Sequence, residues 1–154
     1  MQIPLFKAQT EWLPPDNFPD LSDHNEIAID LETKDPNIGK SMGSGAIIGV
    51  GEVVGIAVAV HNWSGYYPIA HEGGGNMDKK MVLKWFQNIL NTDSTKIFHN
   101  SMYDVCWIRS MGLNIKGQMV DTMICAAIVD ENQMRYDLNS CARRYIGKGK
   151  DEAA

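Results

Sequence analysis

The 154-residue sequence has no run of about 18 apolar residues, and residues 1–10 lack a basic stretch followed by an apolar one. Neither a membrane span nor a secretory signal is therefore indicated. The only cysteines, Cys106, Cys125 and Cys141, stand far apart. Such an odd, scattered set argues against a disulfide framework and against a zinc knuckle. A reducing cytoplasm is the expected location.

Positive charge is also scarce, since 14 Lys and Arg residues face 19 Asp and Glu residues and the net charge is −5. Nucleic-acid-binding proteins usually have a basic surface, so this composition argues against tight, non-specific binding of duplexes. It does not exclude an enzyme that uses carboxylates to hold divalent cations and meets DNA through them.

Five short segments have the patterns of β-strands. Apolar and other residues alternate in the first, Glu26–Glu32, and an apolar run in the second is consistent with burial on both faces. The third, fourth and fifth segments come after a turn, after a helix and after a glycine that ends a helix, respectively. The predicted strands after the first are Val53–Val60, Tyr66–His71, Lys96–His99 and a short connection or strand within residues 113–120.

Helical spacing of apolar residues follows Asp78, Asp121 and Asp137, each of which is a plausible N-cap, and a further helix is predicted over Tyr103–Met111. The segment Lys34–Gly45 contains Pro and several Gly and is predicted to be a loop. Strands followed by alternating helices and strands indicate an α/β fold with one mixed sheet and helices packed on it.

Three segments are expected in the chain. Residues 1–25 form an extended lead-in, with Phe6, Trp12, Leu13 and Phe18 as candidates to pin it to the body. The globular part spans residues 26–147, and residues 148–154 form a polar, flexible tail.

Two carboxylates, Asp30 and Glu32, stand two residues apart on the first predicted strand and so project from the same face. A third, Asp104, begins a helix directly after another strand. Groups at neighbouring strand ends meet at one crevice in open α/β sheets. Because hard divalent cations accept such oxygen ligands, the three carboxylates are a metal-site hypothesis, set against the simpler possibility of a solvated strand end.

Five motifs stand in order along the chain. They are Ile29-Asp30-Leu31-Glu32-Thr33, Tyr67-Pro68-Ile69-Ala70-His71, His99-Asn100-Ser101-Met102-Tyr103-Asp104, Val120-Asp121-Thr122-Met123 and the helix Asp137–Tyr145. Together they resemble the 3′–5′ proofreading exonuclease domain of polymerase I-like (family A) DNA polymerases, a DEDD nuclease of the RNase H-like fold. The resemblance runs from about Glu26 to Tyr145, and the loop Thr33-Lys34-Asp35-Pro36 resembles that of phage polymerases.

This resemblance implies an RNase H-like mixed five-stranded sheet with flanking helices. It implies hydrolysis of the 3′-terminal phosphodiester of single-stranded DNA with two divalent cations, Mg²⁺ or Mn²⁺. By resemblance, Asp30 bridges both cations, Glu32 binds the first and orients the attacking water, and Asp104 holds the second. Asn100 and Tyr103 match family positions that lie near the substrate. A polymerase domain, covalently attached or not, is an expected partner.

The sequence departs from the family in one respect. The family's fourth carboxylate follows a tyrosine by four residues on a later helix, and no Tyr-x-x-x-Asp follows Asp104 here. We therefore expect the last family helix to be lacking, apolar surface to be left open, and the 154-residue chain to have little or no exonuclease activity alone. A bacterial cell or a phage-infected host is the expected setting.

Two other functions remain open. A stand-alone RNA exonuclease similar to RNase D has overlapping motifs, and a catalytically silent, structural or nucleic-acid-binding module is an alternative of another class. The Asn-x-x-Tyr-Asp form favours the DNA polymerase branch, and the presence of all three carboxylates argues against a silent site.

Simpler roles account for several other candidate residues. His71 and His99 are each more often structural than functional at such positions. Asp121 before Thr122 is usually an N-cap rather than a fourth carboxylate. Arg143 and Arg144 more simply solvate a helix face than contact nucleic acid.

Overall fold

The computed structural model describes residues 12–40 and 43–150, and they contain a five-stranded mixed sheet with helices packed against it. Its strand order is β3-β2-β1-β4-β5. The strands are β1 (Glu26–Lys34), β2 (Glu52–Val60), β3 (Trp63–Pro68), β4 (Thr95–Phe98) and β5 (Met119–Asp121).

The central strand is β1, which pairs antiparallel with β2 and parallel with β4. The pairs β2–β3 and β4–β5 are antiparallel and parallel, respectively. A meander on one side of β1 and crossover connections on the other thus produce the mixed sheet that the order of predicted elements indicated. The prediction of an α/β fold with one mixed sheet is confirmed.

Five helices accompany the sheet within the described part of the chain. Aspartates begin three of them, since the side chains of Asp78, Asp121 and Asp137 accept hydrogen bonds from backbone N–H groups of the first turn. These three N-cap predictions are confirmed. The helices are α1 (Gly45–Ile48), α2 (Lys79–Leu90), α3 (Ser101–Ser110), α4 (Thr122–Val129) and α5 (Leu138–Tyr145).

One face of the sheet forms the core with α2 and α3. The buried side chains of β1 alternate with exposed ones, as the sequence pattern predicted, and they belong to the same apolar cluster as the buried side of α2. Met81, which shares the apolar spacing of α2, is mostly exposed. The central members of this cluster are Ile27, Ile29, Leu31, Val82, Phe86, Leu90, Phe98 and Ile108.

The lead-in is joined to this core at several points. Phe18 stacks on Tyr67 with ring centroids 5.6 Å apart, and the indole N–H of Trp85 donates to the Pro19 carbonyl at 2.8 Å. Trp12 packs against Tyr66, whereas Leu13 is largely exposed. Phe6 lies outside the described residues.

Several element boundaries differ from the sequence-based expectation, and those of the third strand differ by three residues at each end. The third strand begins at Trp63 rather than Tyr66, because His61 and Asn62 form a two-residue turn in which Asn62 has φ 64°. That strand ends at Pro68 instead of His71. The short helix α1 was not predicted, since its four residues are too few to show helical spacing.

Apolar side chains of α4 and α5 remain open to solvent. Ile128 is 79% exposed and Val129 72% exposed, and Ile124, Leu138, Tyr145 and Ile146 are also exposed. The expectation of open apolar surface is met by these residues. Among residues 12–40 and 43–150, no helix is long and apolar enough to cross a membrane.

Candidate active site

Asp30 and Glu32 project from the side of β1 opposite to the core. Ile29 and Leu31, which alternate with them, are buried, whereas the two acidic residues are exposed. Asp30 pairs with Ala57 and Glu32 with Gly55 on β2, so small residues stand beside both carboxylates. The strand therefore presents two carboxylates on one face, as its alternation predicted.

Asp104 in the first turn of α3 reaches the same strand. Its carboxylate oxygen Oδ1 accepts a hydrogen bond from the backbone N–H of Leu31 at 3.1 Å, and the residue is only 3% exposed. Since Leu31 lies between Asp30 and Glu32, this contact brings the third predicted carboxylate to the position of the first two.

The electrostatics of this cluster disfavour its full ionisation. Burial and, after it, the negative charge of Asp30 raise the pKa of Asp104 to about 7, against the opposing effect of the Leu31 N–H. Loss of water also raises the pKa of Asp30, although Lys150, the Leu31 N–H and His99 act in the other direction. The cluster therefore resists carrying its full negative charge unless a cation joins it.

Asn100 and Tyr103, the predicted substrate contacts, flank the start of α3. Asn100 is exposed and has left-handed backbone geometry, with φ 66°. The hydroxyl of Tyr103 lies 2.6 Å from Thr33 Oγ1 and donates to Asp35 Oδ2 at 3.2 Å. Tyr103 thus connects α3 to the loop after β1, while Asn100 keeps its side chain at the surface.

Asp121 is a structural link between two helices. Its carboxylate accepts from Met123 N–H at 2.9 Å in its own helix, and from the N–H groups of Asn100 at 3.0 Å and Ser101 at 2.8 Å at the start of α3. This arrangement satisfies several backbone donors that neither helix can satisfy itself. It agrees with the N-cap interpretation.

Both histidines near the site have hydrogen-bond partners. His99 Nδ1 lies 2.9 Å from Thr122 Oγ1, and its Nε2 lies 2.7 Å from the carbonyl oxygen of Tyr136. His71 Nε2 lies 2.5 Å from the hydroxyl of Tyr66. The contacts of His99 tie the end of β4 to the start of α4 and to the segment between α4 and α5, as expected for a structural residue.

The arginines Arg143 and Arg144 occupy the last turn of α5 and are exposed. A guanidinium nitrogen of Arg144 donates to the Arg135 carbonyl at 3.4 Å. This position agrees with the simpler interpretation of a solvated helix face. The thiols differ in burial, since Cys141 is buried and Cys125 exposed.

A groove of about 740 Å³ runs along the carboxylate side of the sheet. Asp30 and Tyr66 both line it, together with other aromatic side chains of the lead-in and of β3. The sequence pattern did not identify Tyr66 as a site residue. It indicated Tyr66 as the start of the third strand and did not predict which face of the sheet its side chain occupies. Other lining residues are Trp12, Trp63, His99 and Leu138.

Within the part of the chain that the structure describes, no group of three or more His, Cys, Asp or Glu side chains forms an arrangement that could hold a metal ion. The three carboxylates are close in the fold, but their side-chain oxygens do not converge as ligands. By chemistry alone, however, they are the hard oxygen donors that Mg²⁺ and Mn²⁺ accept.

A mixed sheet with a carboxylate pair on its central strand and a third carboxylate on the adjoining helix defines a nuclease-like class of α/β protein. The sequence profile of the 3′-5′ exonuclease family matches residues 7–153. The chain belongs to this family, the 3′-5′ exonuclease domain of family A DNA polymerases.

A curated relative from Pseudomonas phage M6, named DNA-directed DNA polymerase, is 30% identical over 171 aligned residues. The alignment includes 99% of this chain but 24% of the relative. The chain thus spans about a quarter of the length of that polymerase.

Solved structures of other proteins have a similar fold, among them the following two. Brucella melitensis NrnC with bound Mg²⁺ is 17% identical, with a TM-score of 0.60 over 88% of this chain and 60% of NrnC. Escherichia coli RNase D, an exoribonuclease involved in structured RNA processing, is 18% identical with a TM-score of 0.60, covering 86% of this chain and 30% of RNase D. At these identities the likeness establishes the RNase H-like fold alone.

Proposed function

We propose that this chain removes nucleotides from the 3′ end of single-stranded DNA, as the proofreading part of a family A DNA polymerase. The observation that carries the proposal is the hydrogen bond from Leu31 N–H to Asp104, which holds a buried carboxylate beside Asp30 and Glu32. Membership of the 3′-5′ exonuclease family supports the reaction, and the name of the phage relative supports DNA as the substrate.

Asp30, Glu32 and Asp104 are the residues that would hold two divalent cations, Mg²⁺ or Mn²⁺. Burial and the nearby Asp30 raise the pKa of Asp104 to about 7. Ionising all three carboxylates is therefore unfavourable in the free protein, and a bound cation would offset this. When bound, such cations lower the pKa of a water molecule and neutralise charge on the phosphate.

The proposed reaction is a hydrolysis. The oxygen of water forms a bond with phosphorus, the bond between phosphorus and the 3′ oxygen breaks, and a proton ends on that leaving oxygen. In this scheme Glu32 orients the water, and the exposed side chain of Asn100 contacts the DNA. Tyr103 is the second proposed contact to the DNA, and its hydroxyl is held by Thr33 and Asp35.

Titration with Mn²⁺, followed by calorimetry, tests the site independently of activity. We expect the wild-type chain to bind Mn²⁺ and the Asp30→Asn and Glu32→Gln variants to bind it at least about tenfold more weakly, as loss of a charged ligand costs on the order of 1.4 kcal/mol or more. Asp23→Asn, which changes an exposed carboxylate in the lead-in, is the matched control. Equal affinity in all four proteins would contradict the proposal and favour a catalytically silent module.

The choice between DNA and RNA needs a direct comparison of substrates. End-labelled DNA and RNA strands of one sequence, incubated with enzyme in excess and Mn²⁺, should show shortening of the DNA from its 3′ end. Faster shortening of the RNA would instead favour a function similar to that of RNase D. We expect low turnover for the 154-residue chain, because no Tyr-x-x-x-Asp follows Asp104 in its sequence.

A polymerase domain is the proposed partner. The phage relative is a polymerase of which this chain matches about a quarter, and open apolar side chains on α4 and α5 provide contact surface. The test is whether a polymerase domain encoded with this chain co-elutes with it at micromolar concentration, and whether Ile128→Lys weakens that association. Elution of the two as separate species would contradict the partnership.

A further inference from the structure

Tyr66 is brought to the carboxylates by the register of three strands. Asp30 on β1 pairs with Ala57 on β2, and Ala57 pairs in turn with Tyr66 on β3. Side chains at paired positions of neighbouring strands point to the same face of a sheet. Tyr66 therefore lies on the face of Asp30, with the methyl group of Ala57 between them, and both residues line the groove.

The phenol of Tyr66 does not stay beside Ala57 but extends along the sheet to lie over Gly55. A Cβ atom added at Gly55 would lie 1.9 Å from the Tyr66 hydroxyl oxygen. Gly55 pairs with Glu32, and the Cβ positions of directly paired residues are about 4.5–5.5 Å apart. The hydroxyl thus occupies the space that a side chain at position 55 would fill, directly beside Glu32.

His71 holds the hydroxyl in that place. Its Nε2 lies 2.5 Å from the Tyr66 oxygen, and the two rings meet edge to face with centroids 5.9 Å apart. The backbone of His71 is itself fixed by Asn76, which accepts from its N–H at 2.7 Å and donates to its carbonyl at 2.8 Å. The direction of the phenol is therefore set by contacts outside the carboxylate cluster.

The charge of the site agrees with this placement. Burial and, after it, the negative charges of Glu32 and Asp30 raise the pKa of Tyr66 to about 12. The phenol keeps its proton throughout the neutral range. A protonated phenol donates one hydrogen bond and accepts others, so it can accept from His71 and still donate to a second group.

We propose that Tyr66 is a further residue of the nuclease site, whose hydroxyl donates to the water that Glu32 orients, and that His71 is the positioning residue that aims it. This inference rests on the proposed function. A purely structural role, in which the pair only ties β3 to the following loop, is the alternative that the experiment must separate from it.

Tyr66→Phe removes the hydroxyl alone, and Tyr67→Phe is its matched control. Tyr67 is the adjacent tyrosine, but it is fully buried on the core face and its hydroxyl donates to the Asn17 carbonyl at 3.0 Å. Single-turnover cleavage of end-labelled single-stranded DNA with Mn²⁺ should slow at least about tenfold in Tyr66→Phe, which is less than the roughly 10²–10⁴-fold typical of a group that transfers the proton itself. The Kd for DNA should stay within about twofold, and Tyr67→Phe should cleave at the wild-type rate.

His71 is tested through the same measurement. His71→Ala should slow the chemical step about as much as Tyr66→Phe, and the two changes combined should cost little more than either alone, because both act through one hydroxyl. His71→Gln, which can still bond to the phenol, should restore part of the rate. Additive losses in the double variant would indicate that His71 acts on stability rather than through Tyr66.

A second readout does not depend on cleavage. In protein with ¹³C-labelled tyrosine rings, substoichiometric Mn²⁺ should broaden the Tyr66 resonances before those of Tyr67, and Glu32→Gln should abolish this difference. A wild-type rate in Tyr66→Phe, or Tyr66 resonances that stay sharp while Mn²⁺ binds through Glu32, would overturn the inference. Mn²⁺ binding that is insensitive to Asp30→Asn and Glu32→Gln would instead overturn the proposed function, whatever Tyr66 does.

Discussion

The carboxylate of Asp104 accepts a hydrogen bond from the backbone N–H of Leu31 at 3.1 Å, although the two residues are 73 positions apart in the sequence. Together with the hydrogen bond between Tyr103 and Thr33, this contact attaches the first turn of α3 to the central strand. It also removes the carboxylate from water, since Asp104 is 3% exposed. A charged group in such a position lowers stability unless a counter-charge joins it, because desolvation is compensated only in part by one neutral donor.

Asp104→Asn is expected to stabilise the metal-free chain at pH 8. The pKa of Asp104 is raised to about 7 in the folded chain, above an unfolded value of about 3.9, so the folded state binds the proton more tightly. Its contribution is fully present below about pH 4 and is lost as pH rises through about 7. The gain in free energy of unfolding should be roughly 2–4 kcal/mol at pH 8 and should vanish near pH 4, as measured by urea unfolding.

Two controls make this test specific. Asp104→Ala removes the acceptor for the Leu31 N–H along with the charge, so its gain at pH 8 should be smaller than that of Asp104→Asn by about 1–3 kcal/mol. Mn²⁺ should stabilise the wild-type chain more than Asp104→Asn. A difference in free energy of unfolding between wild type and Asp104→Asn that is the same at pH 4 and pH 8 would contradict the raised pKa of Asp104.

Asp121→Ala should destabilise the chain more than Asp78→Ala does. Asp121 caps α4 and also accepts two N–H groups at the start of α3, whereas Asp78 caps α2 alone. A single N-cap contributes about 1 kcal/mol, so the expected losses are about 2 and about 1 kcal/mol, respectively. Urea unfolding at pH 7 measures both, and equal losses would show that the contact with α3 contributes nothing to stability.

The fold was largely predictable because the periodicities of its elements are strong. Alternation in β1 fixed which residues are buried, and the aspartates at positions 78, 121 and 137 marked helix starts by side-chain chemistry. Boundaries were less accurate where pairing, rather than composition, decides them. The turn at Asn62 allowed pairing from Trp63, which local propensity did not indicate.

The candidate site was predictable only in part. Asp30 and Glu32 lie two residues apart on a strand, which placed them on one face. The convergence of strand ends predicted that Asp104 would join them. The burial of Asp104 depends on packing of α3 against β1, which no local pattern reveals. Tyr66 was missed because its role arises from cross-strand register and from the absence of a side chain at Gly55.

Ile128→Lys is expected to reduce self-association without changing stability. Ile128 is 79% exposed on α4, next to other open apolar side chains, and surfaces of this kind promote association. The free energy of unfolding should change by less than about 0.5 kcal/mol, as for an exposed position. Ile108→Lys is the matched control, since Ile108 is fully buried on α3 and a charge there should cost several kcal/mol. Sedimentation velocity and urea unfolding measure the two effects, and unchanged association in Ile128→Lys would contradict the expectation.

Gly55→Ala should displace Tyr66. The added Cβ would lie 1.9 Å from the Tyr66 hydroxyl and 2.3 Å from the ring carbon that carries it, so the whole phenol must move and its contact with His71 must break. The expected loss is about 1–3 kcal/mol, the range for overpacking. Gly73→Ala, with no atom within 4 Å of the added Cβ, is the control and should change stability by less than about 0.5 kcal/mol. In a Tyr66→Ala background the Gly55→Ala loss should largely disappear, because the two residues then no longer compete for one space. If the loss at Gly55 is the same in both backgrounds, it arises from the β2 backbone, and Tyr66 does not depend on Gly55 for its place beside Glu32.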